Sequence, residues 1–186
     1  MHGKIFRLSF LVKNNICFRE GLRGNEDVNF MLKCNGLTKK HVYIEEPVYL
    51  WRDEKSSITR VKSKACDAIK SIDYIEAVAM AFEFLKNKNA KTDNFITYIT
   101  GFYKYYQQGI IFNNITPEID NMIIKFLSYP EIIEGIKDRR FWYSSLKETP
   151  QFTIINKKLY FFKQTFQEWL LNHGLKKEIL DEVCGN

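Results

Sequence analysis

Apolar residues recur at steps of three and four over most of the second half of the chain. Ala65, Ile69, Ile72, Ile75, Ala79, Phe82 and Leu85 share one helical face. Phe95, Ile99, Phe102 and Tyr106 repeat the spacing and predict a second helix that ends at Gly109. "TPEIDNMIIKFL" opens a third, with Thr116 as cap, Pro117 at the first helical position and Glu118 beside the positive end of the dipole. Pro130 closes it and starts a short helix, "PEIIEGIKD". Ile155, Leu159, Phe162, Phe166 and Trp169 predict one long last helix, closed at "NHG".

The first sixty residues follow a different pattern. "KIFRLSFLVKNN" is ambiguous between a strand and a short helix, and "NICF" reads as a brief extended piece. Asn25 then caps a helix with Glu26 and Asp27 in its first turn and Val28, Met31 and Leu32 on its apolar face. Asn35-Gly36 is its predicted stop. "KHVYIEEPVYLWR" gives two runs rich in Val, Ile, Tyr and Trp, broken at Glu45-Glu46-Pro47, as expected of two strands joined by a turn. The fold class expected is therefore α+β: a small mixed α/β piece over residues 1–62, then a helical bundle over residues 63–186. Two or three strands and one helix make a marginal sheet unless something covers them.

Composition narrows the function classes. A hydrophobic fraction of 45% with 27% charged residues is that of a folded globular chain. No apolar run reaches the roughly 20 residues a bilayer requires, so no transmembrane segment is expected. Met1 to Asn15 form no secretory signal, and Cys17, Cys34, Cys66 and Cys184 form no CxxC. A cytoplasmic protein with reduced thiols is the expectation. The net charge of +6 is uneven. Residues 1–62 hold 12 Lys/Arg against 7 Asp/Glu, leaving 16 against 15 for the rest. A nucleic-acid-binding reading suffers from that split, because the aromatic-rich bundle carries little of the excess. His2 and His41 have no second metal ligand at useful spacing.

One resemblance organises the first region. Gly3-Lys4-Ile5-Phe6-Arg7, Phe10-Leu11, Asn15-Ile16, Phe18, Glu26-Asp27, Ile44-Glu45-Glu46-Pro47, Tyr49, Trp51-Arg52 and Ser57-Ile58-Thr59 follow in order over about a third of the chain. This set resembles the C-terminal portion of a family 2 glycosyltransferase of the GT-A fold, of the bacterial or phage polysaccharide type. The resemblance implies inverting transfer from a nucleotide-diphosphate sugar to a hydroxyl of a glycan acceptor. Asp27 would be the general base, with Glu26 orienting the loop or touching the acceptor. Lys4, Arg7 and Arg52 would face the donor diphosphate, and Trp51, with Tyr49, would stack on a sugar ring. No Asp-x-Asp occurs in the chain. The resemblance therefore implies that the nucleotide-binding half, with its Mg or Mn, lies outside this sequence, and that the chain is an inactive fragment by itself or half of a split enzyme. No metal ligand is assigned here. A non-catalytic helical assembly module, forming homo-oligomers through the bundle, is the alternative.

Overall fold

The computed structural model describes residues 4–22, 24–46, 49, 64–138, 152–155 and 158–184. They are mostly helical. Helix α1 (Leu8–Asn14) leads to α2 (Glu26–Leu37), and α3 (Lys64–Asn87) is the central rod. A 3-10 segment, Asp93–Tyr98, feeds α4 (Ile99–Ile111). Then come α5 (Pro117–Leu127), α6 (Pro130–Lys137), a hairpin of β1 (Phe152–Ile155) and β2 (Lys158–Phe161), and finally α7 (Phe166–Asn172) and α8 (Lys177–Cys184).

The core forms around α3 because its apolar face meets three helices at once. Ile75, Val78, Phe82 and Leu85 are fully buried, and α2, α4 and α5 lie against that helix. Phe82 is the hub: its ring meets Phe126 at 5.0 Å, Phe95 at 5.3 Å and Tyr129 at 4.8 Å. A second aromatic layer sits where α4 meets α7. There Tyr103 packs edge-on to Phe162, Phe166 and Trp169. A smaller cluster of Ile16, Phe30 and Cys34 collects Phe6, Phe10 and Leu11 of the N-terminal segment. Leu37 and Phe84 touch both clusters and join them.

The expected mixed α/β piece is not seen among the described residues, which are mostly helical. Among the described residues up to 46 there are helices and connecting chain, and no strand pairs. The ambiguous first segment resolves as α1. Residues 41–46, expected to begin a strand, run without a ladder partner. A ladder needs a partner edge, and β1 and β2 pair with each other and not with this segment. The rest of that expectation, Pro47, Val48 and Leu50 to Arg52, lies outside the described residues.

Three helix ends also differ from expectation. Helix α2 runs through Asn35-Gly36 to Leu37, because Gly36 sits where α2 closes on α3. A Cβ there would come 2.5 Å from a methyl of buried Leu85. Helix α4 passes Gly109 for the same kind of reason, a Cβ there running into Ile115, and the left-handed residue after the helix is Asn113 (φ 57°). The long helix expected from Ile155 to Trp169 is instead a hairpin followed by a seven-residue helix. Phe152 pairs with Phe161 and Ile155 with Lys158. A capping box then starts α7 afresh: Glu168 N–H donates to Thr165 Oγ1, and Thr165 N–H donates to Glu168 Oε2 at 2.8 Å.

Candidate functional site

The helix start at Asn25 is made by backbone geometry rather than by a side-chain cap. Asn25 adopts the left-handed region (φ 60°), and its side chain makes no capping bond. The turn is held from a distance instead. Gly24 N–H donates to Asp73 Oδ2 at 2.7 Å, across 49 residues. One helical turn further on, buried Asn29 donates from Nδ2 to the Ala77 carbonyl at 2.8 Å. Asp73 and Ala77 are four apart, on one face of α3, so α2 is fastened to α3 by two polar contacts at its N-terminal end. Glu26 and Asp27 are thereby presented on an anchored first turn, both half-buried. The positive end of α2 favours their negative charge. Asp27 takes part in polar contacts of its own.

Asp73 is 8% exposed, and its loss leaves the half-buried Gly24 N–H without this acceptor. Asp73→Ala is expected to cost about 2 kcal/mol in urea unfolding and to speed amide exchange at Gly24 far more than at Phe102 in α4. Equal effects at both amides would mean that Asp73 supports the bundle generally and not this turn.

The other expected site residues do not converge on the acids as a set. Lys4 and Arg7 are exposed just before α1, Arg7 as its N-cap residue. Trp51 and Arg52 lie outside the described residues; Tyr49 is half-exposed. A cation that motif reading passed over, Lys33, lies on α2 itself. Its side chain is buried, with Nζ 5.0 Å from the centroid of the Phe84 ring. Burial pulls its ammonium below the ordinary range, against a smaller opposing influence from Cys17. The neighbouring Cys34 thiol is pushed up to about 11 by burial, which makes it a core residue and not a nucleophile. Among the described residues, no three His, Cys, Asp or Glu side chains gather as a metal site.

A second polar cluster lies in the bundle, where the sequence pattern suggested only a helix end. Buried His173 places Nδ1 2.7 Å from the Trp169 carbonyl, so that nitrogen donates, and Nε2 3.5 Å from Asp120 Oδ1. The Tyr106 ring meets the imidazole edge-on at 4.7 Å, and the nearby Asp120 carboxylate helps to raise its hydroxyl above the ordinary range. These contacts tie the end of α7 to α4 and α5. The spacing Trp169 to His173 is one helical turn; Asp120 and Tyr106 arrive only through tertiary packing.

No family model, no curated protein and no solved structure matches this chain. The geometry therefore stands on its own. No helix among the described residues is long and apolar enough to cross a membrane.

Proposed function

We propose that this chain is the base-bearing, acceptor-side portion of an inverting glycosyltransferase, with Asp27 as the general base. The observation that carries the reading is the ordered set from Lys4 to Thr59 that resembles family 2 transferases, centred on an acidic pair in the anchored first turn of α2. Inverting transfer needs a carboxylate on the side of the anomeric carbon opposite the leaving nucleotide. There it accepts the proton of the attacking hydroxyl as the new C–O bond forms and the C–O bond to the diphosphate breaks. A turn tied to α3 suits that task, since a base displaced by an ångström loses much of its effect. Glu26, its neighbour, would orient the turn or meet the acceptor. Lys4 and Arg7, with Arg52, would lend positive potential to the departing diphosphate. The Mg or Mn that such enzymes use would be held by the nucleotide-binding half, where it would neutralise the departing diphosphate. A cytoplasmic location, where nucleotide sugars are made, belongs to the same reading.

The test supplies the other half. Co-expression with a nucleotide-binding half carrying Asp-x-Asp is expected to give transfer, measured as release of nucleoside diphosphate. Asp27→Asn should lower that rate by about 10²–10⁴-fold and leave nucleotide binding unchanged. Near-normal turnover in that variant would sink the assignment.

A second reading, a non-catalytic assembly module, is favoured by one surface. Ile5, Leu8 and Val12 recur at steps of three and four, and each is at least 70% exposed. Such a stripe is ordinarily covered by another polypeptide. Unimpaired function of an Asp27→Asn, Glu26→Gln double variant in the source cell would favour that reading over catalysis.

A further inference from the structure

Residues 39–46, KKHVYIEE, are eight consecutive exposed positions. They include Val42, Tyr43 and Ile44 at 75%, 87% and 48% exposure. The segment is neither helix nor strand, and among the described residues none of the eight takes part in a backbone hydrogen bond. Val, Tyr and Ile are strong strand formers, and a run of them with no backbone partner among the described residues is a template for pairing. The charges add a direction. Two lysines precede the apolar centre and two glutamates follow it, so the segment complements itself only when reversed.

We propose that two copies of this chain join through residues 40–46, paired antiparallel about a two-fold axis at Tyr43. A two-fold perpendicular to a β-ribbon sets residue i opposite residue j of the second copy with i and j of the same parity, because directly opposed residues share a face. With the axis at Tyr43, Tyr43 faces Tyr43 of the second copy, and Val42 faces its Ile44. Lys40 faces its Glu46, and His41 faces its Glu45. One face of the ribbon then reads charged, apolar, apolar, charged across the pair. The other places two tyrosines between two His–Glu pairs. Moving the axis to Val42 sets Ile44 against Lys40 and loses the apolar match, so the pairing pattern selects one register. The ribbon is small, and the dimer it makes is weak, dissociating on the order of 10–100 µM. This inference is independent of the transfer chemistry.

The test is a charge exchange in the full chain, read by sedimentation velocity across that concentration range. All the altered residues are exposed, so the fold is unaffected, and circular dichroism verifies this. Lys40→Glu sets like charges together at both ends of the ribbon, as does Glu46→Lys. Each is expected to weaken association about tenfold or more. The double variant Lys40→Glu/Glu46→Lys restores opposite charges and should return to within about threefold of the parent. A parent that stays monomeric throughout that range overturns the proposal and leaves the segment to a sheet edge in a different polypeptide. A dimer indifferent to the single changes, or one the double variant fails to restore, overturns it as well.

Discussion

Phe82→Ala is expected to cost about 3–5 kcal/mol, enough to leave a chain of this size at the edge of folding. Phe82 is fully buried on α3, and three rings from three separate elements close on it: Phe95 before α4, Phe126 on α5 and Tyr129 before α6. Truncation removes the transfer free energy of the ring. It also leaves a cavity that those rings cannot fill together, because each is held by a different segment of the chain. Chemical denaturation followed by far-ultraviolet circular dichroism measures the loss. Ile124 on α5 is 41% exposed, so Ile124→Ala serves as the contrast and should cost less than about 1 kcal/mol. If the two variants proved equally stable, Phe82 would not be the hub of the core.

Alkaline pH is expected to unfold the bundle through its tyrosines. Burial pushes Tyr103 up to about 12, assisted by the charge of Glu168, while its hydroxyl donates to the Gln164 carbonyl at 2.5 Å. Burial raises Tyr74 and Tyr106 as well. For Tyr74 the neighbouring Tyr105 and Tyr98 add to the effect, and for Tyr106 the nearby Asp120 carboxylate does. A group whose folded-state pKa is raised binds its proton more tightly when folded. Its contribution is complete below the unfolded value near 10 and fades as the pH climbs toward the folded value. For Tyr103, which has no exposed surface, about two units corresponds to roughly 3 kcal/mol. The expected result is a stable fold up to about pH 10, then cooperative loss of helix before about pH 12, with phenolate absorbance rising in the same step. Gradual ionisation with the helix signal intact would show these hydroxyls to be open to solvent. Tyr103→Phe should move the transition to higher pH, since its proton is no longer lost.

Much of the candidate site was legible locally. The Gly-Asn-Glu-Asp stretch announces a helix start with two acids in the first turn, and α2 begins at Glu26. Its anchor was not legible, because Asp73 lies 49 residues away and reads in sequence as one polar position on a long helix. Lys33 escaped for the same reason: burial by Phe84 is a property of how α2 meets α3. The region from Ile155 to Phe162 was misread because steps of three and four between apolar residues also occur in a hairpin of alternating strands. Pairing Phe152 with Phe161 is decided by contact between segments and not by spacing along one. The sheet expected in residues 1–62 is not seen among the described residues, for a related reason. Strand-forming residues make a strand only when a second edge is present.

The amino-acid sequence by itself determined the helical face of α3 and the Pro117 and Pro130 starts. It also placed the acids of α2, the skew of positive charge and the self-complementary charges of residues 39–46. All of these are local, since they depend on periodicity, fixed proline geometry or residue order. Tertiary structure alone decided that α2 continues past Gly36, that Asp73 holds the acidic turn, that His173 meets Asp120, and that Thr165 starts a new helix after a hairpin. Each of these balances a local preference against contacts from distant chain, and close packing around α3 settles the balance.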